Sequence, residues 1–166
     1  RSVNAATRGL FAVADTPGEM LALGEEGLIA HIRTIGLFRN KARNVMQLSR
    51  ILVEHYGGEV PSSRAALQSL PGVGRKTANV VLNMWWHLPA QAVDTHIFRV
   101  GNRTGIAPGR TPEAVERAIE DNVPAEFQLH AHQWLVLHGR YVCTARKPAC
   151  ASCVINDLCA WEGKSA

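Results

Sequence analysis

The chain has 166 residues, 46% of them hydrophobic and 19% charged, with a formal net charge of +4. That composition excludes a disordered chain, and the length allows one ordinary domain or one domain with a small appendage. No apolar run approaches the ~20 residues that span a bilayer, no secretory signal pattern is visible, and the basic excess favours an anionic partner only weakly.

The sequence opens on Arg1-Ser2-Val3 without an initiator Met, so it is expected to be a piece of a longer protein. Thr16-Pro17-Gly18-Glu19 reads as a capping box with Pro at the first helical position. The spacing predicts a helix from there to about Leu23, a break at Gly24, and a second helix to about Ile35, stopped by Gly36. Phe38, Ala42, Val45, Leu48, Leu52 and Tyr56 recur at helical spacing, with Arg39, Lys41, Arg43 and Arg50 largely off the stripe, and Gly57-Gly58 ends that helix. Ser62 or Ser63 caps a short helix to about Leu70, and a helix resumes after Pro71-Gly72-Val73-Gly74 as far as Trp86. Asp94 reads as the N-cap of a helix to Arg103, Thr111-Pro112-Glu113 opens another to about Asn122, and Pro124 opens a last long one to about His138. Gln91-Ala92-Val93 is too short to compete as a strand, so the predicted fold is an all-α bundle with a Cys-rich tail.

Leu70-Pro71-Gly72-Val73-Gly74-Arg75-Lys76 is the most informative stretch. Two glycines flank one apolar residue at the start of a helix, where free N–H groups and the dipole favour an anion. Such a turn can cradle a phosphate with no side-chain readout of sequence; it can equally be a plain helix–helix turn. Val73 is expected to point inward and lock the turn. Lys76 stands where a cation is least welcome, at the positive end of the dipole with Arg75 beside it, which suits a nucleophilic amine. A phosphate-contacting lysine would also suit the place. Asp94 has two compatible readings, a helix cap or a catalytic carboxylate that stabilises positive charge or moves protons.

All four cysteines lie in the last 24 residues, spaced Cys143-x6-Cys150-x2-Cys153-x5-Cys159. A secreted disulfide scaffold would spread its bridges over the fold, so a local metal or cluster site fits better. A structural zinc site more often uses two close Cys pairs, whereas a [4Fe-4S] cluster takes four thiolates at wider spacings; spacing leaves both open. Arg146 and Lys147 fall between two of the cysteines and read as phosphate contacts or as a solvated basic loop.

The stretches Leu70–Ala78, Val93–Val100 and His138-Gly139-Arg140, together with the four-Cys pattern, resemble the endonuclease III family. This is the iron–sulfur branch of the helix-hairpin-helix DNA glycosylases, and the similarity runs from about Ser2 to about Trp161. The resemblance implies a bundle with a helical lobe over residues 1–122, containing the hairpin at about 62–87, and a C-terminal helix and cluster loop over 123–166, with the loop at 143–159. It implies removal of oxidised pyrimidines, such as thymine glycol, from duplex DNA and cleavage of the abasic site by β-elimination. Lys76 would attack the sugar and form a Schiff base, Asp94 would assist, and Cys143, Cys150, Cys153 and Cys159 would hold a [4Fe-4S] cluster. Gly72, Val73, Gly74, Arg75, Thr77, Arg146 and Lys147 would contact DNA. The damaged nucleotide would be flipped into a pocket between two lobes.

The partner implied is double-stranded DNA carrying a damaged base or abasic site, and the protein is expected to be a bacterial, cytoplasmic, nucleoid-associated monomer. Lys76 separates this reading from adenine-type glycosylases, which act without the lyase step. A non-catalytic DNA-binding fragment and a zinc-stabilised helical domain are the remaining alternatives. Family members carry a further N-terminal helix and a base-wedging glutamine loop, which are expected to precede residue 1. Met84-Trp85-Trp86-His87 reads as core or lobe-interface with no site role, and His130, His132 and His138 read as structural.

Overall fold

The computed structural model describes residues 2–164, and every regular element in that range is helical. The chain forms two compact units, Arg1–Gly74 and Arg75–Ala166. The division falls within the expected hairpin. The expected 122–123 boundary lies inside the second unit, where Ile119, Val123 and Ala131 share one core.

The first unit holds α1 (Ser2–Phe11), α2 (Pro17–Ile32), α3 (Phe38–Tyr56) and α4 (Arg64–Ser69). α2 starts where its sequence says it must. The Thr16 hydroxyl accepts from the Glu19 amide at 3.2 Å, and the Glu19 carboxylate accepts from the Thr16 amide at 3.1 Å. Gly24, at φ 75 and ψ 168, leaves helical angles, so α2 consists of two helical segments that meet at a kink there, as the sequence predicts. The helix ends at Ile32, short of the expected Ile35, because the chain tightens into a turn in which the Ile35 amide donates to the Ile32 carbonyl at 2.8 Å. α3 has the expected limits and is closed by Gly57 in the left-handed region. Leu10, Ala14, Met20, Leu28, Ile32 and Ala42 form the core of this unit. α1 was not expected from the sequence; no capping residue frames it, and among its residues only Leu10 belongs to that core.

The second unit holds α5 (Arg75–Met84), α6 (Thr95–Thr104), α7 (Pro112–Asn122), α8 (Ala125–Tyr141) and a 3-10 turn at Cys150–Ser152. Side-chain oxygens of Asp94 and Thr111 cap α6 and α7. Val93, Ile97, Ala107, Val115, Ile119, Val123 and Ala131 make one core from all of its long helices except α5. α6 and α8 approach closely at Gly139, where an added Cβ would lie 2.9 Å from the His96 Cβ and 3.0 Å from the Val100 Cγ2.

Three expectations need correction. α5 stops at Met84, not Trp86, because the Trp86 amide reaches back to Val81 and His87 takes a positive φ of 52. The Met84-Trp85-Trp86 run is not core: Trp85 is 69% exposed and its neighbours are exposed too. In the turn, Leu70 at 4% exposure is the buried anchor, whereas Val73 is half-buried. The turn itself forms as expected, with Gly72 at φ +79. A Cβ there would sit 2.7 Å from the Asn44 amide nitrogen, so glycine is required both by the angle and by the close approach of α3.

Candidate functional site

Lys76 lies in the first turn of α5 with its side chain exposed. Asp94 stands immediately before α6, and its Oδ1 accepts from the His96 amide at 2.8 Å and the Ile97 amide at 2.9 Å. Both capping bonds fall on Oδ1, so Oδ2 is not used by the cap. A carboxylate held this way is rigid, and it can serve as cap and as reactive group at once. Lys76 and Val93, the residue preceding Asp94, line the same pocket together with Arg75, Asn79, Glu113 and Glu116.

Arg75 does not stand free beside Lys76. Its Nε donates to Glu116 Oε2 at 2.7 Å and its Nη2 to Glu116 Oε1 at 2.9 Å, a two-pronged pairing. These hydrogen bonds push the Arg75 pKa further above its ordinary value. The charge beside Lys76 is therefore neutralised, which removes part of the electrostatic pressure expected from sequence. Thr77 and Gly74 are exposed, as a phosphate contact requires.

His132, read from sequence as structural, lies on α8 close enough to feel the charges of both Asp94 and Lys76. Burial lowers its pKa most; the charge of Asp94 raises it and that of Lys76 lowers it. Its Nδ1 is buried with no hydrogen-bond partner. Glu116, Asn79 and Gln91 were also missed. Glu116 follows Val115 in a helix whose local pattern gives no reason to bury a carboxylate, and its partner Arg75 lies 41 residues away.

The four cysteines are free and half-buried, and they line one small cavity of about 20 Å³ with His138, Pro148, Ile155 and Trp161. Among the described residues no three His, Cys, Asp or Glu side chains converge as a single metal ion would need. Four thiols lining one cavity are a donor set that a four-iron cluster or a tetrahedral zinc could take. The loop is tied to α6 by two arginines. Arg99 Nε donates to the Cys143 carbonyl at 2.9 Å, and Arg103 donates to the Thr144 and Ala145 carbonyls at 2.8 and 3.1 Å. Arg103 Nη1 also lies 3.6 Å from Cys143 Sγ. Arg146 and Lys147 are exposed on the same loop.

Residues 1–125 match the HhH-GPD superfamily of base excision DNA repair proteins, and residues 143–159 match the iron-sulfur binding domain of endonuclease III. The chain is 58% identical over 163 residues to endonuclease III of Escherichia coli, covering 98% of this chain and 77% of the relative. Its fold matches a trapped endonuclease III–DNA covalent intermediate with a TM-score of 0.88 at 43% identity, covering 96% of this chain and 75% of that one. A non-covalent endonuclease III–DNA complex matches with a TM-score of 0.87 at 43% identity, covering 95% and 74%.

Proposed function

Because the chain belongs to the endonuclease III family of helix-hairpin-helix base excision DNA repair proteins, we propose that Lys76 and Asp94 carry its chemistry on damaged DNA. The protein is a DNA glycosylase and abasic-site lyase, and DNA is its partner. The observation that supports the residue assignment is the shared pocket of Lys76 and Val93, which brings the amine to the segment that bears Asp94.

In this reading the Lys76 Nζ attacks the anomeric carbon of the damaged nucleotide. The glycosidic bond breaks, the base leaves with the electron pair and takes up a proton, and the opened sugar is held as a Schiff base. Loss of the proton on the adjacent sugar carbon then expels the 3′ phosphate by β-elimination. Asp94, anionic and fixed by its cap, stabilises the positive charge that develops at the sugar and relays protons. Oxidised pyrimidines are the lesions that this site serves.

Cys143, Cys150, Cys153 and Cys159 hold a [4Fe-4S] cluster, whose iron–thiolate links pin the 143–159 loop when it is bound. That loop presents Arg146 and Lys147 to phosphates, the backbone of Gly72, Val73 and Gly74 makes a second phosphate contact, and Thr77 contributes its own. Arg75, committed to Glu116, contributes less than its charge suggests. The protein works as a monomer in the bacterial cytoplasm; among the described residues no helix is long and apolar enough to cross a membrane.

The test is to mix the protein with duplex DNA containing an abasic site and add borohydride. Wild type is expected to give a covalent adduct, and Lys76→Ala none. Binding without an adduct in wild type would sink the assignment. Affinity for the duplex is expected to fall steeply with salt, because the contacts are mainly to phosphates.

A further inference from the structure

We propose that Glu116 is a positioning residue of the active site, orienting both the helix turn that bears Lys76 and the segment that leads to Asp94. The proposal rests on the assignment of Lys76 as nucleophile.

Glu116 is 2% exposed, and a buried carboxylate is costly unless it is fully paired. Here the pairing is complete on one side of α5. Arg75 grips both carboxylate oxygens, and Asn79 Nδ2 donates to Oε1 at 3.0 Å. Arg75 and Asn79 are four residues apart, so they lie on one face of α5. Holding both fixes the rotation of the helix about its axis. Lys76 follows Arg75 directly, so the direction in which its side chain leaves the helix is fixed with it.

The same bonds reach the other reactive group. Asn79 Nδ2 also donates to the Gln91 carbonyl at 2.9 Å, three residues before Asp94. Gln91 is itself fully buried, and its Nε2 donates to the Gln128 carbonyl on α8 at 2.7 Å. One carboxylate thus begins a chain of hydrogen bonds that ties α7, α5, the lead-in to α6 and α8 together.

The charge has a specific task in that chain. Asn79 Oδ1 and Gln91 Oε1 are buried without partners, so both amides are oriented by what their NH₂ groups donate to. A flipped Asn79 would bring its oxygen against the Glu116 carboxylate, which the negative charge forbids. For stability alone, an apolar pair in place of Arg75 and Glu116 would serve as well. What it would not supply is a defined rotation of α5. Displacements of about 1 Å at a reacting atom can cost on the order of 100-fold in rate.

The test uses the full protein carrying Glu116→Gln, which keeps shape and removes charge. Three quantities are read: affinity for a duplex with a non-cleavable abasic analogue, the single-turnover rate constant for borohydride-trapped adduct at saturating DNA, and the amplitude of that reaction. A merely structural residue would lower the amplitude, through a smaller folded fraction, and leave the rate constant alone. The positioning role predicts a rate constant lower by about tenfold or more, with affinity changed by less than about threefold. A rate constant within about twofold of wild type overturns it. If Glu116→Gln does not fold, the apolar pair Arg75→Met with Glu116→Met takes its place. A folded double variant with a wild-type rate constant overturns the proposal, and a slow one supports it. A wild type that binds but never forms adduct overturns the Lys76 assignment instead, and this proposal with it.

Discussion

The guanidinium carbon of Arg103 sits over the ring of Trp161, 3.9 Å from its centroid. In that position its N–H groups donate to the Thr144 and Ala145 carbonyls and toward Cys143 Sγ. The Arg103 carbonyl in turn lies 3.5 Å from Cys159 Sγ, so one residue touches the first and last cysteines. Arg103→Met is expected to weaken cluster retention by about 10- to 100-fold, the usual effect of removing a partner that orients metal ligands. Arg103→Lys should rescue little, since an ammonium lacks the planar fork. The visible absorbance remaining after dialysis checks this; full retention in Arg103→Met would contradict it.

Asp94 caps α6, and two substitutions separate that structural role from the reactive role proposed for it. Asn retains an oxygen that can accept from the His96 and Ile97 amides; Ala does not. Asp94→Ala is expected to lose about 1 kcal/mol of stability, and Asp94→Asn only a few tenths. Both should lose most adduct formation, because both remove the negative charge. Thermal melts beside borohydride trapping give the comparison; an active Asn variant would reduce Asp94 to a cap.

Half-buried His132 makes stability depend on pH. Its folded pKa lies below the ordinary 6.5, first through burial and then through Lys76, with Asp94 partly opposing. The unfolded chain therefore binds the proton more readily. The contribution to stability is fully present above pH 6.5 and is lost as pH falls from there through the folded value. The melting temperature of the wild type should drop on acidification across that window more than that of His132→Gln. Parallel curves for the two proteins would show that His132 carries no such linkage.

Gly139 is the contact point of α6 and α8, and a methyl group there has nowhere to go. Its nearest neighbours, at 2.9–3.1 Å, include the His96 carbonyl oxygen as well as side-chain atoms, and backbone does not step aside. Gly139→Ala is expected to cost about 1–3 kcal/mol, the usual range for overpacking. Gly36→Ala, where an added Cβ would meet nothing within 4 Å, is the control and should change stability by less than about 0.5 kcal/mol. Denaturant midpoints of the two variants decide the matter.

The sequence by itself determined every α-helix except α1, and most of their limits. Thr16, Ser63, Asp94 and Thr111 could be read as caps because capping is settled within three or four residues. The Phe38–Tyr56 stripe was legible because helical periodicity is local. The Gly72 turn and the four-cysteine tail were legible for the same reason, and the resemblance they support was enough to name Lys76 and Asp94. α1 escaped because it has neither cap nor breaker to frame it, and Met84-Trp85-Trp86 misled because aromatic character states the cost of exposure, not the location. Tertiary structure alone decided which charges are free. Arg75 looked like a cation pressing on Lys76 until Glu116, 41 residues on, closed over it. From the sequence Arg103 was only the end of a helix; the fold brings it to Cys143, 40 residues away. Local signals record what a residue prefers; whether a charge is spent or available depends on a partner that only the folded chain delivers.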